Sequence, residues 1–307
     1  MFTINYHLLK ENSLNIQILG GMAALASAAS WALCAVLWKN IGETISPLSM
    51  NLYRSVISSL FLLAALLIVA PAPVTASDCL FLGLSGVLGI ALGDTFFFMS
   101  LMNLGPRLVS LLGALTPVLV TIFAMVFLGE KITPMVMAGI VLTVAGIVWV
   151  LREKAPPAQN LKNRSLGVRY GLLSMVCMAA GVILTKVGVT SVPTLQATLI
   201  RLLGGVAGLL CWGCLTRALK DWSTPFHDTR LFKQIFLVVL ISTFGGFWLF
   251  VVALKHVDAA VASTLGATTP LFVLPLAAIM LKEKISLQAT LGAVVAVGGI
   301  GLIFTGS

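Results

Sequence analysis

The sequence predicts an all-α membrane protein whose ten transmembrane helices form two inverted five-helix repeats. Three observations predict it. Apolar residues fill 59% of the 307 positions and charged residues only 9%, where a soluble domain carries roughly 25%. No water-facing surface can be built from so few charges. The apolar residues also gather into ten stretches, each close to the ~20 residues a helix needs to cross a bilayer core of about 30 Å. Finally, the second half of the chain repeats the first.

In order, the stretches are 17–38, 47–70, 79–102, 107–128, 133–151, 168–188, 194–215, 232–254, 259–281 and 286–304. A polar segment, 1–16, precedes them and lies outside the membrane. The first and sixth helices end at Lys39 and Lys186, where a cation suits the helix C-terminal dipole. The third carries Gly83, Gly86, Gly89 and Gly93, a small-residue face that allows another helix to come close. The fourth and ninth carry Pro117 and Pro270 near their middles and end in Glu130-Lys131 and Glu283-Lys284. Most connectors are short, so consecutive helices are antiparallel neighbours. Two are longer: 152–167, with a proline pair and mixed charge, reads as a linker, and 216–231 as a solvated loop. The repeats are therefore 17–151 and 168–304.

The duplication is explicit around the fourth and ninth helices. From Ser110 to Ile147 against Ser263 to Ile300, an offset of 153, 17 of 38 positions are identical. They include Pro117/Pro270, the Glu-Lys pairs, Gly139/Gly292 and Gly146/Gly299. Near the start of each half the offset is 147, matching Lys39 with Lys186 and Arg54 with Arg201. Five helices per unit is odd, so the two copies cross the membrane in opposite senses.

The net charge of +9 sits in short connectors rather than on a basic face, which argues against nucleic acid as a partner. Counting Lys and Arg by side gives 13 on the linker side and 4 on the other. By the positive-inside rule this puts the linker in the cytoplasm and both termini outside. Five cysteines, mostly within apolar stretches, do not suggest a disulfide framework. Cys211 and Cys214 have metal-like spacing, but none of the three histidines lies near them, so no metal site is expected. There is no phosphate-cradling loop, no paired intramembrane acids and no expected cofactor.

The small residues before LTP (115–117) and TTP (268–270), the runs ending in LGEKI (128–132) and LKEKI (281–285), and the arginines of LYR (52–54) and LIR (199–201) recur in one order. SLMNLGP (100–106) and ALKHVDA (253–259) precede the fourth helix of each unit. In this the chain resembles the drug/metabolite transporter superfamily, specifically its EamA-type families, over about residues 17–304. The resemblance implies two packed halves around a central cavity and alternating-access efflux of a small metabolite across the cell (plasma or inner) membrane. In several branches it also implies both termini in the cytoplasm, opposite to the charge count. The small four-helix multidrug relatives carry an intramembrane Glu in the first helix, whereas 17–38 here holds no acid.

Asp94 is the one acid well inside an apolar stretch, and its repeat counterpart is Phe247. A charge at that depth must be paired or protonated, which marks it for function or for an internal partner such as Arg54 or Thr95. Arg54 and Arg201 lie about two turns into their helices, where a guanidinium suits a carboxylate or phosphate but can also snorkel to a headgroup. Lys39 and Lys186 fit an interface anchor or a contact at the cavity mouth. Trp31 and Trp248 lie away from helix ends and line the cavity or fill packing space. Pro117 and Pro270 interrupt equivalent helices and suit hinges.

With more intramembrane cations than acids, the substrate expected is a small carboxylate-bearing metabolite, such as an amino acid, with Asp94 as proton or ammonium partner. The expected protein is a secondary transporter with no catalytic residues, in lipid, as a monomer or homodimer. Alternatives are an exchanger of phosphorylated or nucleotide-linked sugars and, in a different class, a membrane-embedded transferase using Asp258 and His256.

Overall fold

The computed structural model describes residues 2–41, 45–68, 71–113, 115–151, 163–216, 228–281 and 287–306, and every regular element among them is helical. The first repeat comprises α1 (Phe2–Ile41), α2 (Pro47–Leu66), α3 (Ala76–Ser85), α4 (Thr95–Gly113), α5 (Thr116–Phe123) and α6 (Pro134–Leu151). The second comprises α7 (Arg164–Gly188), α8 (Thr194–Thr216), α9 (Thr229–Ile241), α10 (Leu249–His256), α11 (Ala259–Gly266), α12 (Thr269–Leu281) and α13 (Leu287–Gly306). Among the described residues, six spans are long and apolar enough to cross a bilayer by themselves, from Ile16–Trp38 to Thr229–His256. Large apolar side chains such as Leu67, Val126, Phe127, Leu215, Ile279 and Val294 are exposed, as lipid-facing positions must be.

Three local features differ from the plain ten-stretch reading. The polar segment 1–16 is helical from Phe2 and continuous with the first span, because neither Gly nor Pro interrupts 2–19. The third and fourth stretches join, since α4 runs on to Gly113, and the break falls at Leu115 instead. There the Leu115 N–H reaches back to the Leu112 carbonyl at 2.9 Å. The second repeat breaks at the matched place, Ala267–Thr268, so Pro117 and Pro270 each take the second position of a new helix. That position tolerates proline because its missing N–H has no intrahelical partner there.

The third difference is wider helix winding. A π-helical stretch, Gly86–Asp94, joins α3 to α4, and another, Ser242–Trp248, joins α9 to α10. At the offset of 153 these stretches overlap, so the duplication kept the distortion as well as the helix. A third, Ala124–Leu128, ends at Gly129, whose φ of 66° places it in the left-handed region that favours glycine.

The two repeats interleave. The first helix of the first repeat, α1, lies against α10, α11 and α12 of the second. Its counterpart α7 lies against α3, α4 and α5 of the first. The equivalent helices α2 and α8 pair with each other, as do α6 and α13. This last crossing explains the spaced glycines. A Cβ on Gly146 would meet the Gly292 carbonyl at 2.8 Å, and one on Gly299 would meet the Gly139 carbonyl at 2.8 Å. The four duplicated glycines thus face each other in exchanged pairs, where close backbone approach supplies the packing that helices in lipid need.

The glycines of the Gly86–Asp94 stretch are used likewise. A Cβ on Gly86 would collide with the Arg201 carbonyl, and one on Gly93 would meet Met178 Cγ at 3.0 Å. These contacts press the π-helical stretch onto α7 and α8. They bring Asp94 and Arg201 into one neighbourhood.

Candidate functional site

The site forms where α2 meets the Gly86–Asp94 stretch. Arg54 is 2% exposed and forms an ion pair with Asp94, whose side chain is 13% exposed. The pairing that the sequence left open is therefore made. Thr95 does not satisfy Asp94; its hydroxyl accepts from Asn51 Nδ2 at 2.9 Å.

Asn51 holds the pair in place. It lies one helical turn before Arg54 on the same face of α2. Its Nδ2 donates to the Ile90 carbonyl at 2.7 Å, within the π-helical stretch, and its Oδ1 accepts from Arg54 Nη2 at 2.7 Å. One buried amide thus ties the guanidinium to the backbone just before Asp94 and to the side chain just after it.

Three rings complete the surroundings of Arg54. Its Cζ lies 5.5 Å from the Trp31 ring centroid, 5.2 Å from Phe98 and 5.0 Å from Phe247. Trp31 and Phe247 meet edge to face at 4.9 Å. Ring faces attract a desolvated guanidinium. The repeat counterpart of Asp94, Phe247, thus approaches the same arginine from the other repeat.

Arg201 is 7% exposed, near Asp94 but without a direct ion pair to it. Its Nε, like that of Arg54, has no partner, and no described residue accepts a hydrogen bond from the rest of its guanidinium. Gly89 borders it: a Cβ there would stand 3.1 Å from Arg201 Nη2.

Not every residue chosen from sequence joins this cluster. Trp31 does; Trp248 instead donates its indole N–H to Thr194 Oγ1 at 3.2 Å. Lys186 lies elsewhere, at the break between α10 and α11, where its ammonium donates to the carbonyls of Leu254 at 3.0 Å and Val257 at 2.6 Å. Glu130 completes that join by accepting the Ala259 N–H at 3.1 Å, at the start of α11. Lys39, Glu283 and Lys284 lie outside the residues whose side chains are described. Asp258 and His256, the acid and histidine of the transferase alternative, flank the same break as Lys186. A surface hollow lined by Thr229, Arg230, Lys233, Gln234 and Leu237 includes none of the cluster's residues.

The sequence reading did not single out Asn51 or Phe98, and used Phe247 only as the counterpart of Asp94. Asn51 carried a signal: it is polar, in an apolar helix, three residues before an arginine. Phe98 carried none, being one phenylalanine of a run of three.

The arrangement holds two fixed positive charges against one carboxylate, among aromatic rings and away from water. That combination suits recognition of an organic anion. It offers no nucleophile paired with a base, and no group of metal-ligating residues is found among the described residues.

Known proteins resemble the chain over nearly its whole length. The family model described as the EamA-like transporter family matches residues 18–152 and 165–305. An uncharacterized transporter of Archaeoglobus fulgidus is 24% identical over 284 residues, covering 92% of this chain and 96% of that protein. The uncharacterized transporter YvbV of Bacillus subtilis is 26% identical over 193 residues, covering 62% and 60%. A solved crystal structure superposes with a TM-score of 0.72 at 18% identity, covering 94% of this chain and 96% of the other. At that identity the likeness is one of fold.

Proposed function

The chain belongs to the EamA-like transporter family and is a multi-pass membrane transporter rather than an enzyme, and from that premise we propose that it exports a small carboxylate-bearing metabolite. The observation that carries this reading is the charge count at the centre. Arg54 and Arg201 are both buried, and Asp94 alone opposes them. Arginine does not give up its proton in proteins. A buried excess of one positive charge is costly in a membrane interior, and a carboxylate substrate would relieve it.

In this reading the transport is secondary and proceeds by alternating access between repeats of opposite sense. Asp94 is the proton-exchanging group, because it is the only acid in the cluster. The matched helix breaks before Pro117 and Pro270 are the hinges, since a chain already interrupted there can bend without losing further backbone bonds.

Purified protein in liposomes, preloaded with amino acids, organic acids or phosphate esters, provides the test. Export of at least one carboxylate compound is expected, driven by an imposed pH gradient, with the gradient dependence lost in Asp94→Asn. Equal flux by the native protein and Asp94→Asn at every pH would remove Asp94 from coupling. Flux only of phosphate esters, and only against a counter-substrate, would replace the carboxylate reading with that of an exchanger.

A further inference from the structure

Duplication made Arg54 and Arg201 equivalent, yet their surroundings are unequal. Arg54 has the Asn51 amide oxygen, the Asp94 carboxylate and three rings. Each polar residue of that set, and Thr95 that receives the Asn51 amide, has a counterpart in the second repeat: Thr198 for Asn51, Phe247 for Asp94 and Trp248 for Thr95. None of them serves Arg201. The Thr198 hydroxyl donates to the Thr194 carbonyl of its own helix at 2.6 Å. Phe247 has no acceptor and lies over Arg54. Trp248 has only a donor, and gives it to Thr194. The second arginine kept its place while every matched acceptor was replaced or turned away. Its Nη2 lies against Gly89, where a Cβ would stand 3.1 Å away, so the backbone there offers it no side-chain acceptor.

From this inequality we infer that Arg201 is the subsite for the substrate's anionic group, while Arg54 pairs with Asp94 whenever that carboxyl is ionised. The inference rests on the carboxylate reading above and narrows it. A substrate carboxylate at Arg201 would set its two oxygens against the planar guanidinium fork. The charges also set a number. Arg54 and Asp94 cancel, so one further negative charge closes the site. Asp94 is already engaged, so a free ammonium on the substrate finds no acid of its own. The class favoured is a compound of net charge −1, a monocarboxylate without a free amine, over a zwitterionic amino acid.

Acetate is the probe, because it is the carboxylate end of any such substrate without the remainder. Its matched neutral control is acetamide. The readout is thermal unfolding of the full-length protein in detergent at fixed ionic strength, since a ligand for the folded form raises its apparent stability. Acetate is expected to raise the unfolding temperature of the native protein, and acetamide and glycine to leave it unchanged. Arg201→Lys, which keeps the charge but not the fork, should weaken the apparent affinity about tenfold or more. Thr198→Asn should weaken it too, by supplying the amide acceptor that Arg54 has and Arg201 lacks; this variant tests the idea even if Arg201 substitutions impair folding.

Equal response of native, Arg201→Lys and Thr198→Asn proteins to acetate would overturn the assignment. So would equal response to acetate and glycine. If acetate does not stabilise the native protein although larger carboxylates are exported from liposomes, the Arg201 subsite fails and the proposed function stands. If neither occurs, the proposed function fails as well.

Discussion

Asn51 uses both amide hydrogens and its oxygen at once, so its loss would strand the Ile90 carbonyl, the Thr95 hydroxyl and one edge of Arg54. Polar side-chain contacts between membrane helices are worth about 0.6–2 kcal/mol each. Asn51→Leu, similar in size and without polar atoms, is therefore expected to cost about 2–4 kcal/mol in the stability of the folded protein. Denaturant unfolding in mixed micelles measures this, and a cost below about 0.5 kcal/mol would show that Asn51 does not hold the Arg54 pair. At this scale the sequence was legible where chemistry contrasts with its background. Asp94, Arg54 and Arg201 stood out because charges are rare inside apolar helices. The rings around Arg54 could not be told from their neighbours, since an apolar residue in an apolar helix gives no sign of facing a cation. The inequality between the two arginines was also hidden, because it depends on where Thr198 and Phe247 point.

The breaks and distortions of the helices are where elements acquire separate jobs. At the join of α10 and α11, Lys186 satisfies carbonyls at the end of one helix and Glu130 an N–H at the start of the next. Each charge has the sign that its helix end favours. Lys186→Met would leave the Leu254 and Val257 carbonyls without these donors, and should cost about 1–3 kcal/mol by the same unfolding measurement. Glu130 should also make stability depend on pH. Burial pushes its carboxyl above the usual range; the Ala259 N–H opposes this, Asp258 adds to it and Lys186 opposes it. A carboxyl raised on folding binds its proton more tightly in the folded state. Its stabilising effect is full below the ordinary Glu value of about 4.3 and is lost as pH rises through the raised one. Glu130→Gln stays neutral and can still accept from Ala259, so its unfolding temperature should fall less than the native one over that rise. Parallel curves for the two proteins would show that Glu130 does not titrate this way. The Glu-Lys motif was visible in sequence, but its partner across the repeats was not. The π-helical stretches left no trace either: two of them meet other helices closely at their glycines, and local propensity does not encode such contacts.

For the whole molecule, the interleaving decides what can fold alone. The helix α1 buries its face on α10, α11 and α12, and α7 buries its own on α3, α4 and α5. Each repeat therefore lends its first helix to the other, and α6 closes against α13 through glycines that need the opposite backbone. Neither half has its core complete: Val120, Ala124 and Ile140 of the first share a buried cluster with Val182, Leu254 and Leu265 of the second. Within lipid a lone half would still insert, since its helices are apolar enough, but it would expose small-residue faces and, in the second half, the Arg201 charge without Asp94. Cutting the chain between residues 157 and 158, inside the linker that the sequence marks by its prolines, tests this. Either half expressed by itself is expected to be degraded or to run as aggregate on size exclusion in mild detergent. Co-expression of the two should give a complex that co-purifies through a tag on one half and unfolds within a few degrees of the intact chain. A stable monodisperse first half, with Arg54 and Asp94 but no second repeat, would mean that the exchanged helices are a surface contact rather than the core, and would remove the basis for hinges between the repeats.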